Sequence, residues 1–296
     1  EGQVYVATHE GYVHALDRTG GFLWSYTVKG AVHVPPVVLP NGAVVVATRH
    51  NLIYAIRPNG RRLWVYRVPD PVQTPLAVSD KGTLVFGGGR LYAYAVSALG
   101  GLVWRVKLPA QVTEAVHLNK NGTVFMGTRA GVATWQAPTR IQLWESPAVD
   151  GFLSGDTSSA REPIWLASGR AFSSHGAMDL GEGIRFGRQL AQGGQLLSTR
   201  SELHWIAATG SGVRTVVLTA EPSAAPLLGA QGEVWVPAVD GTLLGVEPNA
   251  RAARPVARLG FSPVSSLVSD GADQIVAATG EGNVCGVSRT RLGSPP

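Results

Sequence analysis

Ala15-Leu16-Asp17-Arg18-Thr19-Gly20-Gly21-Phe22-Leu23-Trp24 carries the chain out of one strand, through a polar turn and into the next. Asp, Thr and Gly are turn formers, and the aliphatic and aromatic residues on either side favour extended backbone. The closing tryptophan recurs at 64, 104 and 144, a step of 40 each time, and each follows an aliphatic residue: Leu23, Leu63, Val103 and Leu143. Gly2, Gly42, Gly82 and Gly122 keep the same step. Behind each glycine comes a strand-forming run, at 4–8, 44–48, 84–88 and 124–128, and a second run follows a short turn, at 12–16, 52–56, 91–96 and 132–136.

A fixed internal period decides the architecture before any local reading. The unit reads as strand, tight turn, strand, polar turn, strand ending near the tryptophan, then a proline-rich link into a further strand such as 33–39 or 73–78. Four short strands in about 40 residues make the blade of a β-propeller. Asn41-Gly42, Asn59-Gly60 and Asn121-Gly122 predict two-residue hairpins, which need positive φ at both central residues. No helical period is sustained. In the second half the strands at 164–168, 196–199, 234–238 and 275–279 continue the count, with hairpin partners at 171–175, 203–208, 243–247 and 284–288. The sixth unit, 188–220, is short and is expected to lack a full inner strand. The first unit begins at its second strand, and the last, 261–289, lacks its outer one. Propellers close by sharing strands from both termini, which removes exposed edges. The expected fold is all-β, a β-propeller of eight four-stranded blades closed in that way, as a single domain over residues 1–296. Seven blades result if the degenerate fifth and sixth units merge.

Composition excludes several classes. The 296 residues carry 45% hydrophobic side chains, enough for a packed core, and only 15% charged ones, against roughly 25% in ordinary soluble domains. One cysteine, Cys285, rules out a disulfide framework and a cysteine-built zinc site. No apolar run approaches the roughly 18 residues of a membrane-spanning helix. The net charge is +5, but the 21 Arg and 4 Lys are scattered, with only Arg61 and Arg62 adjacent, so a nucleic-acid footprint is not expected. Glu1 to Val6 already reads as strand, without the basic start and apolar core of a secretory signal, so the sequence reads as a mature or trimmed chain. Near-absence of cysteine fits either cytoplasm or periplasm.

The stretch at 15–24 resembles the tryptophan-docking repeat of the PQQ-like propellers, in which Ala, Asp, Thr-Gly and Trp recur in that order. In that family the Asp and Gly belong to the turn and the indole packs between neighbouring blades. The second unit keeps Ala55, Gly60 and Trp64 but has Arg57 at the Asp position, and the third keeps Ala95, Gly100 and Trp104 with Ser97 there. The fourth keeps only Trp144, and later units have Phe186 and Arg214 near the place. The resemblance thus assigns docking roles to Asp17, Gly20, Trp24, Gly60, Trp64, Gly100, Trp104 and Trp144. No Gly-His start or Trp-Asp end recurs, which disfavours WD40, and the double glycine of kelch is missing. Dehydrogenases of this fold would need a cysteine pair and a calcium site, which a lone Cys285 does not supply, so no cofactor is expected.

Among PQQ-like propellers of this length the chain is similar to the BamB-like outer-membrane assembly lipoproteins. That resemblance implies a non-catalytic periplasmic scaffold. It would dock through loops on one face to the barrel-inserting BamA and would be tethered to the outer membrane by a lipid anchor lying outside this chain. The other readings are a ligand- or carbohydrate-sensing propeller of a signalling protein, or a structural subunit of another envelope machine. Arg49, His50, Arg90 and Arg129 follow the second strand of units two to four and could ring one face with positive charge toward a partner.

Other chemistry is weak. His9 and His14 straddle a turn without a third ligand, and Ser173-Ser174-His175 with Asp179 lacks a nucleophile elbow. Gly87-Gly88-Gly89 precedes no helix that would make it a phosphate loop. Asn121-Gly122-Thr123 matches a glycosylation acceptor but occupies a repeated turn. Trp165 and Trp235 align with Tyr5 as core residues, whereas Trp135 stands where Ala15, Ala55 and Ala95 do and either fills a void or marks a surface.

Overall fold

The computed structural model describes residues 2–89, 91–136, 141–152, 154–155, 165–168, 170–173, 176–178, 183–190, 194–206, 213–229, 232–269 and 274–288. These form eight sheets in chain order: five of four strands, one of five, and the first and last of three. The fold is a β-propeller of such blades. The second blade shows the pattern: Val37–Val38, Val44–Thr48, Leu52–Ile56 and Arg62–Arg67 pair antiparallel in order. Packing divides the chain into two compact units, one of Glu1–Phe152 with Thr157–Ser168 and one of Leu153–Asp156 with Gly169–Pro296. Sheets one to four lie in the first unit and sheets six to eight in the second.

Burial follows strand position. Val44–Thr48, Leu52–Ile56 and Leu84–Gly88 are buried at every residue, because a neighbouring blade covers each face. Strands covered on both faces read as continuous apolar runs. The fourth strands, such as Phe22–Thr27 and Arg62–Arg67, alternate and stay partly exposed. Each core lies between consecutive sheets of one unit: Val13 with Val46 and Tyr54, Val45 with Leu84 and Phe86, Ala95 with Val124 and Met126. In the second unit Leu196 packs with Val234 and Leu244, and Trp235 with Ile275.

The indoles join the blades. Trp24 donates its Nε1–H to the Pro58 carbonyl at 2.7 Å, and Trp64 does the same to Ala98 at 2.8 Å, each reaching 34 residues ahead. Each ring lies on a glycine of the next blade: a Cβ on Gly60 would stand 2.9 Å from Trp24 Cγ, and one on Gly100 2.8 Å from Trp64 Cδ2. Both glycines also need positive φ, +80° and +84°. Asp17 Oδ1 closes the first such turn, accepting from the amides of Thr19 and Gly21 at 2.8 Å and from the Thr19 hydroxyl at 2.7 Å. The Thr19 hydroxyl and then those amides hold its carboxyl below the usual range. Where the aspartate is lost, Asn59 Oδ1 and Ser97 Oγ accept from Arg61 and Gly101 instead.

The fourth blade departs. Trp104 packs edge-on against Trp135 at 5.7 Å, so Trp135 is a buried core residue. Trp144 keeps the spacing of 40 but pairs with Val132, whereas Trp24, Trp64 and Trp104 face Ala15, Ala55 and Ala95. It stacks on the buried Trp165 at 5.7 Å.

Two expectations are corrected. The Asn-Gly pairs are not two-residue hairpins: Gly42, Gly60 and Gly122 have positive φ and the asparagines do not. Leu39 instead accepts from Gly42 before donating to Ala43, a longer turn ending on a left-handed glycine, which preserves strand twist. The sixth sheet has its inner strand, Phe186–Gln189, and gains Ser154–Gly155 parallel beside it, giving five strands. Phe186 therefore sits on the wrong strand to replace a docking tryptophan. Arg214 does replace it: on the last strand of that sheet, Val213–Val217, it donates to the carbonyls of Pro248, 34 residues ahead, Ala250 and, at 3.2 Å, Glu247. A guanidinium spreads several donors where an indole has one.

Gly20 shares the turn and the φ (+87°) of Gly100 but has nothing within 4 Å of an added Cβ. Gly20→Ala should therefore cost about 1–2 kcal/mol from backbone alone, and Gly100→Ala about 1–3 kcal/mol more from displacing Trp64, read as the difference in urea-unfolding free energy. In the same assay Arg214→Ala should lose about 1–3 kcal/mol, part of which Arg214→Trp should restore.

Candidate functional site

The turn after each second strand is tied to the segment that leads into the same blade. Arg49 donates its amide to Ala31 at 2.9 Å, Gly89 to Pro71 at 2.9 Å and Arg129 to Gln111 at 2.8 Å. Buried Val32, Val72 and Val112 anchor those segments, and the next residue of each, His33, Gln73 and Thr113, lines a cavity of about 780 Å³ within the first unit. Arg49, Arg129 and Asp150 complete its polar wall, over a floor that includes Pro71, Val72, Val112 and Val149. Gly89 occupies the turn position between the two arginines with φ +61° and no side chain.

The polar wall is partly fixed. His33 Nε2 lies 3.0 Å from the Val72 carbonyl, and because a carbonyl only accepts, Nε2 carries the hydrogen and Nδ1 is left over. Asp150 Oδ2 accepts from the Ser168 amide at 2.9 Å. The Thr113 hydroxyl is buried without a hydrogen-bond partner. Beside the cavity Asp70, the residue before Pro71, accepts from the Tyr94 hydroxyl and pairs with Arg105 at 3.1 Å. The Arg105 guanidinium also lies 3.8 Å over the Tyr92 ring. Burial first and then the Asp70 bond push the Tyr94 phenol up to about 12, so this cluster is a brace and its acid is spent on its own partners.

A second cavity of about 560 Å³ runs along the inner strands Val37–Val38 and Ala77–Val78 and reaches His117. His117 lies between the rings of Phe125 at 5.9 Å and Phe152 at 6.1 Å. Burial there pushes its imidazole down to about 4.

The residues expected to face a partner separate. Arg49 and Arg129 line the same cavity, but His50 lies against Gly30, where a Cβ would overlap its imidazole, and Arg90 is outside the described residues. Ser174, His175 and Asp179 also fall outside them. Gly87 and Gly88 end a strand packed against Val112 and Tyr94, leaving no phosphate loop. Half-buried Cys285 sits on the strand Val284–Ser288. The wall residues His33, Gln73 and Thr113 are missed by any motif search, although their own step of 40 marks them.

At the first two joints of this β-propeller an indole docks on a glycine and a carbonyl of the next blade. Residues 1–98 match the family described as outer membrane protein assembly factor BamB. Among solved structures, BamB from Moraxella catarrhalis superposes with TM-score 0.50 at 13% identity, over 97% of this chain and 80% of that one. The computationally designed protein Ika8 superposes with TM-score 0.80 at 16% identity, over 97% and 93%. No curated protein sequence matches the chain. Since 1290 solved chains match this structure, the fold alone does not choose a function.

For His117, a folded value near 4 against 6.5 for the free side chain means that folding favours the neutral ring. Its contribution to stability is complete above pH 6.5 and is lost as pH falls through about 4. The melting temperature of His117→Gln should therefore fall less steeply than that of the parent across this window.

Proposed function

We propose that the chain is a non-catalytic interaction scaffold of the bacterial cell envelope that, in the manner of BamB, supports assembly of outer-membrane β-barrel proteins. The observation that carries this reading is the match of residues 1–98 to the BamB family, the region in which Trp24 and Trp64 dock on the following blade. Blades locked in this way make a rigid platform whose loops can be offered to a protein partner without reordering the framework. The reading sets the protein in the periplasm, held at the outer membrane, with the BamA-type barrel-inserting machine as its partner.

Crosslinking the tagged protein in its native host, followed by purification and mass spectrometry, tests the assignment. Recovery of the barrel-inserting machine supports it. Recovery of a different envelope complex instead keeps the scaffold and overturns its role in barrel assembly. The absence of any protein partner favours a ligand-sensing propeller, the second reading, which the polar cavity of the first unit supports independently.

A further inference from the structure

The cavity of the first unit is built by the repeat and is not needed by it. The positions that hold the blades together keep their residue type: Trp24 and Trp64, Gly60 and Gly100, Val32 and Val72 and Val112. One residue further, at 33, 73 and 113, the same backbone register presents a histidine, an amide and a hydroxyl, all to one space. At the turn position the series runs Arg49, Gly89, Arg129, and both arginines line that same space.

The chemistry narrows the ligand. No acid pairs with Arg49 or Arg129 among the described residues, whereas the neighbouring Arg105 is held by Asp70. Guanidinium groups favour planar oxyanions, which they bind through paired hydrogen bonds. The one acid of the wall, Asp150, leaves the two arginines with a single excess positive charge, which suits a carboxylate better than a phosphate dianion. The remaining groups need donors and acceptors in turn: Asp150 accepts, Gln73 does both, and His33 Nδ1 and the Thr113 hydroxyl lack partners. Several hydroxyls on one small molecule satisfy such a set, and the apolar floor at Val72 and Val149 suits the flat side of a ring. A volume of about 780 Å³ lies within the range of small-molecule sites and far exceeds a simple inorganic anion.

We propose that this cavity binds a small hydroxylated carboxylic acid of the sugar-acid class, with Arg49 and Arg129 holding the carboxylate and Gln73, Thr113, His33 and Asp150 reading the hydroxyls. The site does not depend on the envelope role: its failure leaves that role untouched, and its success supports the ligand-sensing reading without excluding a scaffold.

Isothermal titration calorimetry on the full chain tests it with D-glucuronate and D-galacturonate as probes, and with D-glucose, glucose 6-phosphate and acetate as comparisons. Saturable binding of at least one uronate is expected, with glucose and acetate at least tenfold weaker. Arg49→Gln and Arg129→Gln should each weaken the uronate about tenfold or more, and Thr113→Val should weaken it at an unchanged melting temperature. Arg57→Gln, an exposed arginine away from the cavity, should leave it unchanged. Failure of both uronates to bind overturns the proposal, as does equal binding of glucose or acetate, tighter binding of the sugar phosphate, or affinity indifferent to both arginine substitutions. The arginine and threonine variants are compared only at parental melting temperature. Should one unfold, displacement of the uronate by 0.5 M salt in the parent, on the order of a Debye length below 5 Å, replaces it, and salt-insensitive binding overturns the proposal equally.

Discussion

The joints after the first and second blades depend on one contact, an indole laid on a glycine with its N–H given to a carbonyl of the next blade. The contact needs three things at once. It needs a large flat ring at the fourth strand, a turn residue without a Cβ, and a carbonyl turned outward by that same turn. Gly60 and Gly100 supply the second condition, and Pro58 and Ala98, two residues before them in the same turns, supply the third. That is why ring and glycine keep in step along the chain while Asp17 does not: its work in the turn passes to Asn59 and Ser97, which offer an acceptor oxygen from nearby positions. Arg214 shows what the contact requires at minimum. The ring and the glycine can both go, provided that a long side chain still delivers donors to carbonyls on the same 34-residue reach.

With consecutive blades held at close range, the second and third strands of the second and third sheets are covered on both faces. Their sequences become continuous apolar runs, as at Val44–Thr48 and Leu52–Ile56, whereas alternation survives on the fourth strands and, in the first and last sheets, on Tyr12–Leu16 and Gln274–Thr279. The core is thus a series of slabs, each shared by two sheets. Side chains that do not enter a slab are the ones left to vary, and they gather where the lead-in segments meet the turns after the second strands.

This division explains which parts of the structure were legible. Trp24, Trp64 and Trp104, the glycines at 42, 82 and 122, and the strand positions follow from the step of 40, because each is demanded by a contact that recurs in each blade. The turn type was misread from Asn-Gly, since the pair alone does not say whether one or both residues take positive φ; only Gly42 and its counterparts do. The inner strand Phe186–Gln189 escaped notice because its partner Ser154–Gly155 is a parallel strand from an earlier part of the chain, a pairing that leaves no local signature. Trp144 keeps the spacing but loses the register, so spacing alone overstates how far the docking rule extends. Of the cavity, Arg49 and Arg129 were visible as recurring charges, whereas His33, Gln73 and Thr113 share a position and not a residue type.

That last distinction bears on function. A repeat whose structural positions are restricted to one or two residue types has few ways to express specificity except at positions the packing leaves free. His33, Gln73 and Thr113 are such positions, carried on backbone fixed from behind by Val32, Val72 and Val112 and from the side by the amides at 49, 89 and 129. Rigid support and variable chemistry are the two requirements of a recognition site, and here the same 40-residue step supplies both. A propeller can therefore hold a partner by its outer loops and a small acid within its first unit without conflict, because the docking contacts between blades draw on neither set of residues.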